Sequence, residues 1–149
     1  MVFKKGQAAL DFLMTYGWAI ALVVIIAAVL FAMGVFDTSN FIGSKAAGFS
    51  GVAVSSWNLN SAGGMQIKVS NQVGKKIEIQ NITAKVGTLE SNNTTKHNIT
   101  TGEATTFDFS GFGAANVGNS YTSVVTIIYK ELDSGFLYTT TGTLTGKVA

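Results

Sequence analysis

The chain has 149 residues, room for one small domain and an appendage. Its 10 basic residues are all lysine and face 8 acids, a formal net charge of +2 with no arginine cluster or basic stripe to follow a phosphate backbone, so nucleic acid is not an expected partner. Cysteine and proline are both absent, which excludes disulfides, thiolate metal sites and proline kinks.

Apolar residues concentrate at the start. From Ala8 to Phe36 the only charge is Asp11, and Trp18 to Phe36 carries no charged or strongly polar side chain. The run exceeds the about 20 apolar residues that cross a bilayer. It is apolar on every side, unlike an amphipathic surface helix. One hydrophobic helix over residues 7–38 is expected. Ala8–Phe36 alone, at about 1.5 Å per residue, would span roughly 43 Å, more than the about 30 Å of a hydrocarbon core. Asp37-Thr38-Ser39-Asn40 supplies polar residues where the run stops. Lys4 and Lys5 on the short flank favour a cytoplasmic N-terminus with the rest of the chain outside. An ordinary secretory signal has an apolar core of about 7–15 residues, shorter than this one. An uncleaved signal anchor fits hydropathy and charge equally well.

The junction Lys4-Lys5-Gly6-Gln7-Ala8-Ala9-Leu10-Asp11 adds detail that a plain anchor does not explain. A short basic leader ending in Gly, then an apolar helix with one acid near its start, resembles the class III signal of archaeal type IV pilins. The run Leu13-Met14-Thr15-Tyr16-Gly17-Trp18-Ala19-Ile20 also looks like the helices of that family. Departures are Asp11 where Glu is commoner, Ala9 where Ser is frequent and Thr15 where Leu is frequent. The resemblance implies removal of residues 1–6 by a membrane-embedded prepilin peptidase cutting between Gly6 and Gln7. It also implies a helix that stays in the mature chain, first in the cytoplasmic membrane and then in the core of an extracellular filament. The partners it implies are other copies of the chain in a helical homopolymer, the peptidase and the pilus assembly machinery, with adhesion as the use. A carboxylate in a membrane helix costs energy and usually has a partner. Asp11 is expected to neutralise the terminal amine of an adjacent subunit, the bland reading being an acid favoured by the helix dipole. Gly17/Ala21 and Ala28/Ala32 form small-xxx-small pairs that let helix backbones approach closely. An archaellin is the nearest alternative, but archaellin helices begin Gly-rich and lack an acid where Asp11 lies. A membrane-anchored binding module, left uncleaved, is the alternative from another class.

Residues 39–149 change character, to Thr, Ser, Asn and Gly with period-2 alternation. Strands are expected at Met65–Val69, Ile77–Ile79, Ile82–Val86 and Thr106–Phe109, with a bulge near Gln80 and Asn81 where the alternation slips. Tyr121–Glu131, apolar on both faces at Val124–Ile128, is expected inside a sheet. Asp133-Ser134-Gly135 marks a turn, and Phe136–Thr145 the second strand of a hairpin. The fold class is α+β, a long hydrophobic helix followed by an all-β head. The resemblance makes that head an Ig-like sandwich.

Four Asn-x-Thr triplets begin at Asn81, Asn92, Asn93 and Asn98, the last three in Glu90–Thr101, a polar stretch expected as a loop. Each is a candidate N-glycan acceptor in an exported chain. No catalytic, cofactor or metal site is expected. His97 is the only histidine and falls in the same polar stretch, and the acids show no paired spacing. Gly111-Phe112-Gly113 lacks the Lys-Ser/Thr of a phosphate loop. Phe107, Phe109 and Phe112 are expected as core or subunit contacts.

Overall fold

The computed structural model describes residues 3–36 and 43–149. It divides into two units, Met1–Phe41 and Ile42–Ala149. The polar stretch Asp37–Asn40 and the expected boundary at Thr38 and Ser39 lie outside the described residues.

The first unit holds α1, Phe3–Ala32, 30 residues long. At about 1.5 Å per residue it extends roughly 45 Å. It closes before the expected Thr38. The closing turn explains the early end. The amide of Val35 donates to Leu30 O at 3.1 Å and that of Gly34 to Phe31 O at 3.0 Å, with Gly34 at φ 69°. This is a Schellman motif, in which glycine takes the left-handed position that a side chain disfavours. The Phe31 and Phe36 rings meet across the turn at 4.7 Å. α1 is long and apolar enough to cross a membrane, and none of its described side chains is buried.

The second unit, here called the head, contains nine strands among the described residues. In chain order they are β1 Lys45–Ala47, β2 Val52–Leu59, β3 Met65–Asn71, β4 Ile77–Val86, β5 Leu89–Asn93, β6 His97–Ile99, β7 Ala104–Phe109, β8 Ser120–Glu131 and β9 Leu137–Lys147. They form two antiparallel sheets. The larger runs β1-β9-β8-β4-β5, with β6 also on β4, and the smaller runs β2-β3-β7. The α+β class with a helix first and sheets after it is borne out.

Strict alternation turns one face of each strand inward. Met65, Ile67 and Val69 of the smaller sheet and Ile77, Ile79, Val125, Ile127 and Leu144 of the larger sheet join one core, each at most 1% exposed. Phe107, Phe109 and Phe112 are buried in it as well. The bulge in β4 falls between Ile79 and Asn81, as the slipped alternation requires. β8 lies between β4 and β9, and its hairpin with β9 pairs Lys130 with Leu137. Burial on both faces of β8 is not observed: Val124 is 44% exposed, because the outer face of the sheet is uncovered there.

The expected loop at Glu90–Thr101 is replaced by two strands. β4 turns into β5 through Gly87-Thr88, with Val86 opposite Leu89 and Gly87 at φ 60°. Glycine at the first position of a two-residue hairpin turn supplies this geometry. β5 and β6 lie end to end along one edge of β4, β5 on Ile82–Val86 and β6 on Ile77–Ile79.

Side chains close the seams between the sheets. Trp57 Nε1 of β2 donates to Thr145 O of β9 at 3.2 Å, and Asn93 Nδ2 of β5 donates to Asp108 O of β7 at 3.0 Å. β2 and β7 are the two edges of the smaller sheet, so each edge has a polar tie to the larger one. At the end of β3, Asn71 is 1% exposed and fully engaged. Its Nδ2 donates to Lys75 O at 2.8 Å and to Ile99 O at 2.9 Å, and its Oδ1 accepts from Val73 N at 2.8 Å. Asn71→Ala would orphan three backbone groups, and an unsatisfied buried group costs about 1–3 kcal/mol. The expected loss is about 3 kcal/mol, or roughly 10 °C or more in Tm, read by thermal unfolding of the full chain in detergent. The exposed Asn58→Ala should leave Tm unchanged within error.

Candidate functional site

Lys4, Lys5, Gly6 and Gln7 all lie in the opening turns of α1, so the helix runs unbroken through the expected cleavage junction. Those turns are poorly stabilised. No acid stands in the first turn, while Lys4 and Lys5 place positive charge at the positive end of the helix dipole. Gly6 costs about 1 kcal/mol against alanine in a helix interior. These features all weaken the helix around the Gly6–Gln7 bond.

Asp11 follows Gln7 by four residues, one turn along the same face. It is exposed, and no ion pair reaches it among the described residues. Gly17, Ala21, Ala28 and Ala32 follow at offsets of four, seven and four, which places them within about 60° of arc on one side of the helix. A different side carries a shallow apolar groove lined by Phe12, Tyr16, Ala19, Ile20, Val23 and Val24, with the Phe12 and Tyr16 rings 4.9 Å apart.

The four sequon asparagines all lie on strands. Antiparallel partners share a face, so register decides where each side chain points. Asn92 pairs with Thr83 and Asn98 with Glu78, both outward positions on β4, and both asparagines are exposed. Asn93 pairs with the fully buried Ile82 and points inward. It is half-buried, its Oδ1 accepts from Thr95 N at 3.0 Å, and its Nδ2 holds the Asp108 carbonyl. Asn81 stands at the β4 bulge, half-buried opposite Ile128 of β8, with Oδ1 shut off from solvent and unpaired. The sequence shows four equivalent triplets, and the strand register makes them unequal. The Gly-Thr pair between Val86 and Leu89 was the available signal for the hairpin that does so.

His97 belongs to β6 rather than to a loop and meets the Phe107 ring edge-on at 5.3 Å. No three His, Cys, Asp or Glu side chains converge as a metal site among the described residues. Between β6 and β7, Glu103 is held below the usual carboxylate range, first by the Thr100 hydroxyl and then by the Thr100 N–H at 3.1 Å. That contact is present above the unfolded glutamate range and is lost as pH falls through the lowered folded value. Compared with known families and curated proteins, the chain matches no family model and no curated protein.

The inward Asn93 and the outward Asn92 and Asn98 should respond differently to truncation in unglycosylated protein. Asn93→Ala should lower stability by about 1–2 kcal/mol by freeing the Asp108 carbonyl and opening the β5–β7 seam. Asn92→Ala and Asn98→Ala should stay within about 0.5 kcal/mol. Urea unfolding of the three variants checks this.

Proposed function

We propose that the chain is the structural subunit of an extracellular filament, a pilin resembling those of archaeal type IV pili, and that its role is structural rather than enzymatic. The observation that carries this reading is α1: 30 residues with apolar side chains exposed on every side, preceding a head that closes its own core. Such a helix needs an apolar environment. The bilayer supplies one, and a bundle of like helices supplies another.

Transfer between them is not driven by hydrophobic burial alone, because lipid tails are as apolar as leucine. Close packing and polar pairing must supply the difference. Gly17, Ala21, Ala28 and Ala32 offer a low surface on which a second backbone can approach. Asp11 offers the polar term. Cleavage after Gly6 would create an α-amine at Gln7, charged at neutral pH, which pairs with the Asp11 of an adjacent subunit offset along the fibre. Cleavage also removes Lys4 and Lys5, the charges that hold this end on the cytoplasmic side, so the helix is free to leave the membrane. The heads form the outer sheath, and adhesion is the use. The head itself is read as an Ig-like sandwich, supported by two antiparallel sheets on one core with the chain crossing between them after β1, β3, β6 and β7.

Filaments sheared from cells should contain this chain with Gln7, free or cyclised, as its first residue by peptide mass spectrometry. A terminus at Met1 or Val2 found only in membranes would overturn the pilin reading in favour of an uncleaved anchored module. Asp11→Asn should accumulate processed subunit in the membrane and reduce sheared filament at least tenfold. Gly17→Leu should reduce filament yield as well, whereas Leu22→Ile should not. Wild-type filament yield from Asp11→Asn would remove Asp11 from the assembly mechanism.

A further inference from the structure

N-glycan transfer makes a specific demand on asparagine. The side-chain nitrogen attacks the anomeric carbon of a lipid-phosphate-linked oligosaccharide. The new N–C bond forms as the C–O bond to phosphate breaks, its electron pair leaves on the phosphate, and the nitrogen gives up a proton. The amide must therefore be free of its own bonds, and its surroundings must hold a group many times its size. A serine or threonine two residues on is the other requirement, met by Thr83, Thr94, Thr95 and Thr100.

We propose that Asn92 and Asn98 are the N-glycan acceptors and that Asn81 and Asn93 stay unmodified. The inference rests on the reading that the head is exported. Asn92 and Asn98 are exposed on the outer face of the larger sheet, opposite Thr83 and Glu78. They stand on β5 and β6, the short strands along one edge, so no further strand of this sheet flanks them. Neither side chain makes any of the side-chain hydrogen bonds that tie the fold together, and either can carry a sugar outward without disturbing the core. The Thr100 contact with Glu103 that accompanies the Asn98 sequon is exposed and opens without cost to the core.

The other two fail on geometry. The Asn93 nitrogen is spent on Asp108 O, and a sugar there would enter the seam between β5 and β7. Asn81 is half-buried at the β4 bulge beside Ile128 of β8, with its side-chain oxygen already shut off from solvent. The adjacency of Asn92 and Asn93 sharpens the choice, since neighbouring strand residues point to opposite faces and only one of them can face the enzyme that delivers the sugar. Partners Glu78 and Thr83 are five residues apart on β4, so the two glycans would stand roughly 15 Å from each other. They would cover the outer face of the β4–β5–β6 edge and keep it clear of other copies of the chain.

The full chain, isolated from the cells that make it, tests this by intact mass and glycopeptide sequencing, with protease added to intact cells as a separate readout of export. Wild type should carry a glycan at Asn92 and another at Asn98. N92Q and N98Q should each lose one glycan mass, and the double variant should carry none. N81Q should keep both. A glycan on Asn81 or Asn93 of the wild-type chain overturns the assignment, as does a bare Asn92 or Asn98 on a head that protease removes from intact cells. A head protected from protease overturns export itself, and this inference with it.

Discussion

Leu, Ile, Val, Phe and Trp cover α1 in every direction, and water excludes that surface at about 25 cal/mol for each Å² of it. No described side chain of the helix is buried, so the helix needs an apolar surrounding that it does not supply itself. That requirement orders the other features. A single carboxylate in such a helix is tolerable only near its end and gains most from a cationic partner. Small residues on one side matter because lipid cannot be squeezed out by hydrophobicity, only by closer packing. The lysines before Gly6 matter because, next to a membrane span, such charges favour the cytoplasmic side.

The head solves a different problem, that of holding a β fold together without disulfides. Its answer is one continuous apolar core between two sheets with polar ties at the margins. Asn71 satisfies three backbone groups where β3 ends, and Trp57 and Asn93 each reach from one sheet to a carbonyl of the other. These ties sit where an open pair of sheets would otherwise let water into the seam. Asn93 is therefore a structural residue that happens to spell a modification signal.

How much of this was legible in the sequence differs by element. α1 could be read because charge is absent over a long run. β3, the bulged β4 and the β8–β9 hairpin could be read because alternation and the Asp133-Ser134-Gly135 turn are local signals. The helix end was hidden by apolar residues continuing to Phe36, although Gly34 had the right chemistry to stop it. β2 escaped notice because a register shift between Val54 and Ser56 changes its phase midway. β5 and β6 are short and polar and pair along one edge of β4, so apart from the Gly87-Thr88 turn no local property announces them. The sequons could be found by their spelling, but their orientation could not, since it depends on which β4 residue each asparagine opposes. The assembly role proposed for α1 rests on chemistry between chains rather than within one.

The side-by-side placement of Asn92 and Asn93 has a consequence for how β5 finds its alignment. If the strand slid by one residue along β4 so that Asn92 came opposite Ile82, an asparagine would still face Asp108, and the tie to β7 could be remade by the wrong neighbour. Local chemistry at the seam is nearly blind to that error. The discrimination falls to the other end of the strand, where the tight Gly87-Thr88 turn permits only one pairing of Val86 with Leu89. A bulky group fixed to the Asn92 side chain would add a second safeguard of a different kind. Once attached, it bars that side chain from the interior, and a choice first made by a reversible turn becomes permanent.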